Sequence, residues 1–347
     1  MRVTDTRLVR VRDFCQLEAW VTLESMKSDP FLLWYRFPSD YITAVSVGLN
    51  DAFVAVLLTP AMLLGERIRI DGVVSGQLMQ SLPLLQAIYQ EWNEGFSIIS
   101  VESTGLDLSI ASERRAGGVS LFFSLGVDSF YSLLKNNRDH PSDEKSIDTL
   151  LFVRGFDIAI DDPKVDGLFN MSVQNAKRVA DQFRKKLLVA STNLRTFTNK
   201  YVSWGKTGHG AALASIALAL GEGFTEVMIA ATYDWEHLFP WGSHPKLDPL
   251  WSNGKVSLSH DGCEATRLDK TRLVSLDPIA LETLRVCYEN PDSLYNCGRC
   301  RKCLRTMVEL QQCGALELCR TFPQNPGILD AVEKSKGIIG QDNIVVT

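Results

Sequence analysis

From residue 119 onward, short apolar segments alternate with helical ones, and this alternation limits the possible folds more than any other feature of the chain. Apolar stretches at 119–123, 149–153, 187–190, 226–232 and 273–276 have the length and composition of fully covered strands. Between them, helical patterns run from a glycine-containing loop through residue 134, and over 173–186 and 210–220. Strands without polar alternation, separated by helices, predict an α/β fold: a parallel five-stranded sheet with helices on both faces. In such sheets a ligand sits at the carboxyl ends of the strands.

Residues 1–115 follow a different pattern. Strand-like segments are expected at 17–23, 31–37, 44–47, 52–58, 67–70 and 97–102, with one helix over 75–92 whose Leu78, Leu82, Leu85, Ile88 and Trp92 share a stripe. This predicts a small α+β domain, joined through a linker at 113–118 to a domain over 116–315 and a helical extension over 316–347. The chain has 347 residues, which allows two cores. Its net charge of −5 disfavours general nucleic-acid binding. The start, MRVTDTRLVRVRDF, has no apolar signal region, and no run of 18 apolar residues occurs, so no membrane partner is expected and a cytoplasmic protein is anticipated.

The loop after the first α/β strand is Ser124-Leu125-Gly126-Val127-Asp128-Ser129. A strand feeding a helix through such a turn presents backbone N–H groups and the positive end of the helix dipole, which suits phosphate. Gly126 admits close approach. Ser124 and Ser129 offer hydroxyls. Asp128 would repel a bare phosphate, so it suggests a bridging Mg²⁺. The spacing is not that of a Walker A loop. The same residues also suit an ordinary turn in which Asp and Ser cap the helix. The stretch S-L-G-V-D-S resembles the S-G-G-x-D-S signature of the PP-loop ATP pyrophosphatases, with leucine in place of the first glycine. That resemblance spans about 119–310. It implies cleavage of ATP between the α and β phosphates, transfer of AMP to a substrate oxygen and release of pyrophosphate.

Of the eight cysteines, Cys287, Cys297, Cys300 and Cys303 form C-x9-C-x2-C-x2-C. In a reducing compartment, four thiols so spaced point to tetrahedral Zn²⁺ with no open position, hence a structural site. An iron–sulfur cluster, a redox pair and unliganded thiols are the alternatives. Cys15, Cys263, Cys313 and Cys319 are expected to be reduced and mostly packed. A PP-loop followed by this cluster resembles the 7-cyano-7-deazaguanine synthases, which make the nitrile precursor of queuosine. The resemblance implies zinc on the four cysteines, ATP activation of a carboxylate, and ammonia or another nitrogen donor. The substrate would be a small or nucleobase-like molecule, and a homodimer is compatible with it.

In those synthases the loop corresponding to Lys206-Thr207-Gly208-His209-Gly210 contacts ATP and substrate. Here Lys206 suits a phosphate, Gly208 and Gly210 a close ligand, and His209 a base or a phosphate donor; a plain helix cap fits equally. The loop 233–248 follows a strand and is rich in aromatic and polar residues. Asp234, His237, Ser243, His244 and Asp248 could orient a polar substrate there, with Trp235 or Trp241 stacking on a flat ring. A packed loop with satisfied histidines is the alternative. Arg267, Lys270 and Arg272 precede the last expected strand, where a cation would neutralise pyrophosphate. The resemblance selects Lys270 and, against the backbone near Phe152–Gly155, the adenine side of the ATP site, which assigns Phe152 and Arg154. Two other functions remain open: sulfur transfer with Cys263 as the reactive thiol, and ATP binding without catalysis.

Overall fold

The computed structural model describes residues 1–25, 29–109, 117–323 and Val332. Most of the 113–118 linker and most of the expected 316–347 extension lie outside these residues. The described strands are β1 (Arg2–Val11), β2 (Phe14–Thr22), β3 (Phe31–Pro38), β4 (Ile68–Ser75), β5 (Val101–Asp107), β6 (Gly118–Phe122), β7 (Ile147–Arg154), β8 (Lys186–Thr192), β9 (Phe224–Ala230) and β10 (Ser257–Asp261). The helices are α1 (Asp51–Leu64), α2 (Gly76–Trp92), α3 (Val127–Asp139), α4 (Asp166–Gln182), α5 (Leu194–Thr198), α6 (His209–Ala219), α7 (Arg267–Val274), α8 (Pro278–Thr283) and α9 (Arg301–Gln312).

The fold is α/β, but the sheet is not the expected five-stranded parallel one. Among the described residues it has ten strands in the order β10-β9-β6-β7-β8-β3-β2-β1-β4-β5 and is mixed. β1 pairs antiparallel with β2, β2 with β3, and β3 with β8, whereas β1–β4 and β4–β5 are parallel. Four of the five expected α/β strands correspond to β6, β7, β8 and β9. The fifth does not: residues 267–274 form α7, and the strand beyond β9 is β10. Thr266 caps α7 by accepting the Asp269 N–H, a local signal that outweighs the short apolar run at its end.

Two compact units are present. The first comprises Met1–Ser120, Leu188–Ile229 and Phe239–His260. In it, residues 52–58 are helical rather than extended and belong to α1. Nearly every side chain of α1 is buried, so the run has no amphipathic period, and a continuous apolar stretch does not distinguish helix from strand. Gly65, at φ 64°, closes α1 in the left-handed conformation. α1 packs on the Ala-rich α6, whose small side chains let the two helices approach closely. Residues 44–47 lie in and after a 3₁₀ turn, Ser39–Ala44, not in a strand.

The second unit comprises Leu121–Leu187, Ala230–Leu238 and Asp261–Thr347. It carries β7, α3, α4, the short helices α7 and α8, and α9. Here α3 packs on α7, and α4 on α8.

Candidate functional site

The second unit holds the phosphate-type loop. β6 ends in buried Leu121 and Phe122, buried Phe123 follows, and the chain then turns through exposed Ser124. Leu125 adopts φ 67°, a left-handed conformation that costs a leucine about 1–2 kcal/mol. Its side chain is fully buried, and this packing offsets the cost. The turn delivers Gly126 as the N-cap of α3, with no side-chain cap. The first N–H groups of α3 therefore lack the usual capping acceptor. Ser129 turns inward: its hydroxyl donates to the Gly126 carbonyl at 2.9 Å. The Arg285 N–H donates to the Leu125 carbonyl at 2.9 Å and ties the loop to the segment leading into the cysteine cluster.

Asp128, in the first turn of α3, is already occupied. Both its oxygens accept from Arg267 Nη1 at 2.9 Å, and Lys270 Nζ lies 3.9 Å away. Arg267 continues to Glu309 at 3.2 Å, which also accepts from Thr271 Oγ1 and from Arg305 Nε, both at 2.9 Å. Burial opposes ionisation of Asp128, but Arg267 first and then Lys270 outweigh it and hold the carboxyl below its usual range. Burial likewise opposes the Arg267 charge, and Asp128 and Glu309 more than restore it. Lys270 is fully buried, and burial lowers its pKa although Asp128 partly compensates; its Nζ donates to the Ala231 carbonyl at 2.6 Å. A Mg²⁺ ion does not fit on Asp128 in this arrangement, because two cations already neutralise the carboxylate and would repel a third positive centre.

Arg267 was only one of three equivalent cations in the sequence. The 267–270 spacing would have singled it out on a helix, where i and i+3 share a face, but not in an approach to a strand, where they point apart.

The other assigned residues of this unit have local partners. Arg154 pairs with Asp166 and lies over the Phe169 ring at 4.6 Å, and Phe152 is buried 6.2 Å from that ring. Asp234 accepts from His237 Nδ1 at 2.7 Å while capping the turn Trp235–His237. Cys263 is buried.

In the first unit, exposed Lys206 lies in a single π-helical turn, Trp204–Gly208, immediately before α6. His209 Nδ1 contacts the Trp204 carbonyl at 3.1 Å, and its ring meets Trp241 edge-on at 5.7 Å. Gly208 is buried against the Ser203 carbonyl. Gly210 does not leave room for a ligand: a Cβ there would lie 1.9 Å from the Gly242 carbonyl oxygen, so its role is close backbone packing. Ser243 donates to Asp248 at 2.6 Å, and His260 Nδ1 lies 2.6 Å from the same carboxylate.

His244 is 5% exposed, and its Nδ1 accepts the Lys246 N–H at 3.0 Å. Burial, reinforced by nearby His260, lowers its pKa to about 4. The unfolded chain, at an ordinary value of 6.5, then binds the extra proton first. Stability should therefore fall as pH drops from 6.5 towards about 4. In His244→Gln, thermal melts across this window should show a flatter pH dependence than the parent protein; identical slopes would contradict it.

The four cysteines converge as expected. Their sulfurs all lie within 4.8 Å of one another and all four residues are buried. The Cys297–Cys303 and Cys287–Cys300 pairs are 3.8 and 3.9 Å apart. A zinc tetrahedron with Zn–S of about 2.3 Å has edges of about 3.8 Å, so the set could hold such a metal ion with little adjustment. Cys300 starts α9, and its sulfur accepts the Cys303 N–H at 3.5 Å. Asn296 braces the cluster: its Oδ1 accepts the Val286 and Cys287 N–H groups at 2.9 and 3.2 Å, and its Nδ2 donates to the Leu284 carbonyl at 2.9 Å.

Among the described residues no helix is long and apolar enough to cross a membrane. Searches of family models, curated proteins and solved structures return no match to this chain.

Proposed function

We propose that this protein is an ATP pyrophosphatase of the PP-loop type, acting as a ligase that forms C–N bonds in the manner of the 7-cyano-7-deazaguanine synthases. The observation that carries the proposal is the uncapped N-terminus of α3, with Arg267 and Lys270 held around its first turn. Uncapped amides beside three cations, Arg267, Lys270 and Arg305, set against the two carboxylates Asp128 and Glu309, make a site that favours a polyanion.

In this proposal a carboxylate or amide oxygen of a small or nucleobase-like substrate attacks the α-phosphorus of ATP. The bond to the β-phosphate breaks and pyrophosphate leaves. Ammonia or another nitrogen donor then attacks the activated carbon and displaces AMP. Residues 124–129 contribute backbone N–H groups to the phosphates. Arg267 and Lys270 neutralise the leaving pyrophosphate, a task that the occupied Asp128 leaves to them rather than to a bound Mg²⁺. Asp128 orients Arg267. Phe152 and Arg154 are assigned to the nucleoside side. Lys206, His209, Trp241, Ser243 and His244 remain substrate candidates on residue type and loop position, as do Asp234 and His237. The four cysteines are proposed to hold a structural Zn²⁺. Burial of Cys263 gives no support to the sulfur-transfer alternative.

Calorimetric titration with MgATP should detect binding to the parent protein and at least tenfold weaker binding to Arg267→Gln. Release of AMP and pyrophosphate should be detectable by phosphorus NMR once a substrate is supplied. No heat of binding to the parent protein would defeat the proposal.

A further inference from the structure

Arg285 is a buried cation without a counter-charge among the described residues. Its residue is 4% exposed, and no carboxylate among the described residues lies within ion-pair distance of it. Among the described residues its guanidinium makes one hydrogen bond, from Nη2 to the Asn290 side-chain oxygen at 2.6 Å, and its buried Nε meets no acceptor. Every other buried charge of this unit's central network is paired: Arg267 with Asp128 and Glu309, and Lys270 near Asp128. A guanidinium taken out of water and left unpaired is costly, and proteins seldom retain one without an anion to meet it.

The place of Arg285 in the fold indicates which anion. Its backbone N–H holds the Leu125 carbonyl, and a Cβ on Gly126 would lie 3.7 Å from its own carbonyl oxygen, so Arg285 is anchored against the turn that opens α3. On its other side, Asn290 donates to the Asp157 carbonyl at 2.8 Å, in the loop that follows β7. Residue 285 thus lies between the uncapped helix start and the carboxyl end of β7, the region where an open α/β sheet receives ligands.

We infer that Arg285 is a phosphoryl-anion ligand, and that a pyrophosphate group or the polyphosphate of a nucleotide supplies its missing counter-charge. The inference rests on the phosphate site proposed above but names a residue outside the loop and outside the Arg267–Lys270 pair. A planar guanidinium with a free Nε–H suits phosphate oxygens, which it can meet with two parallel N–H groups.

The test uses the whole chain as purified and inorganic pyrophosphate, with Arg285→Met and Arg285→Lys compared with the parent. Arg285→Met should weaken pyrophosphate binding at least tenfold, while the ligand-free protein melts at the same or a higher temperature, because an unpaired buried charge has been removed. Arg285→Lys should fold, keep the charge and recover only part of the affinity. Unchanged affinity in Arg285→Met, with the parent binding normally, would overturn the assignment of Arg285 alone and leave the proposed function standing. Loss of bound metal in Arg285→Met, with affinity unchanged, would assign the guanidinium to the thiolate cluster instead and would also overturn it. Absence of pyrophosphate binding by the parent would defeat both this inference and the phosphate site.

Discussion

Removing the zinc proposed for the four-cysteine centre should unfold the segment from residue 284 to the end of α9. Strong chelation of freshly purified protein should release about one zinc per chain, and amide hydrogen exchange over 284–312 should rise steeply. The thiols lie within 4.8 Å of each other and are buried, so without a metal they can satisfy one another only through weak S–H contacts. Hydrogen bonds from Cys300 and Cys303 lower the pKa of Cys287. Structural zinc contributes on the order of 10 kcal/mol in small domains, far more than any single contact here. Cys297→Ser should reproduce the effect. The loop at 124–126 should lose protection as well, because the Arg285 N–H that holds the Leu125 carbonyl lies two residues from Cys287. Metal-free protein with native exchange over 284–312 would refute a structural role for the cluster.

The second large effect is expected at Glu309. This buried carboxylate accepts from Arg267, Thr271 and Arg305, and Glu309→Ala leaves three donors without it. Breaking a buried charged network by removing one member costs about 3–5 kcal/mol. The urea midpoint should therefore fall markedly in Glu309→Ala, and less in Glu309→Gln, which retains an acceptor. Asp128 then becomes the sole carboxylate partner of Arg267. The depressed pKa of Asp128 adds a pH signature: its stabilising contribution is complete above its ordinary value near 3.8 and is lost as pH falls through the lower folded value. A Glu309→Ala midpoint equal to the parent's would show that the network contributes nothing net.

The parts of this molecule legible in the sequence are those that local chemistry specifies. The strand–loop–helix around residue 126 and the thiol spacing at 287–303 both depend on residues close together in the chain, and both appear where expected. The sequence misled where one signal served two structures. Residues 52–58 are apolar throughout, which suits a buried strand or a fully buried helix, and only packing on α6 decides for the helix. Residues 273–276 ended a segment whose capping threonine outweighed its apolar run.

By itself, then, the sequence determined the α/β character of residues 119–230, the loop that could meet an anion and the four sulfurs that could share a metal. Only the tertiary structure decided how the charges pair. It set Asp128 against Arg267 rather than leaving it open to a metal cation, it buried Lys270 on the Ala231 carbonyl, and it left Arg285 without a carboxylate partner among the described residues. The reason is physical: a side chain's type is local, but its desolvation and its counter-charge come from segments distant in the chain, 139 residues apart for Asp128 and Arg267, and no short-range pattern carries that information.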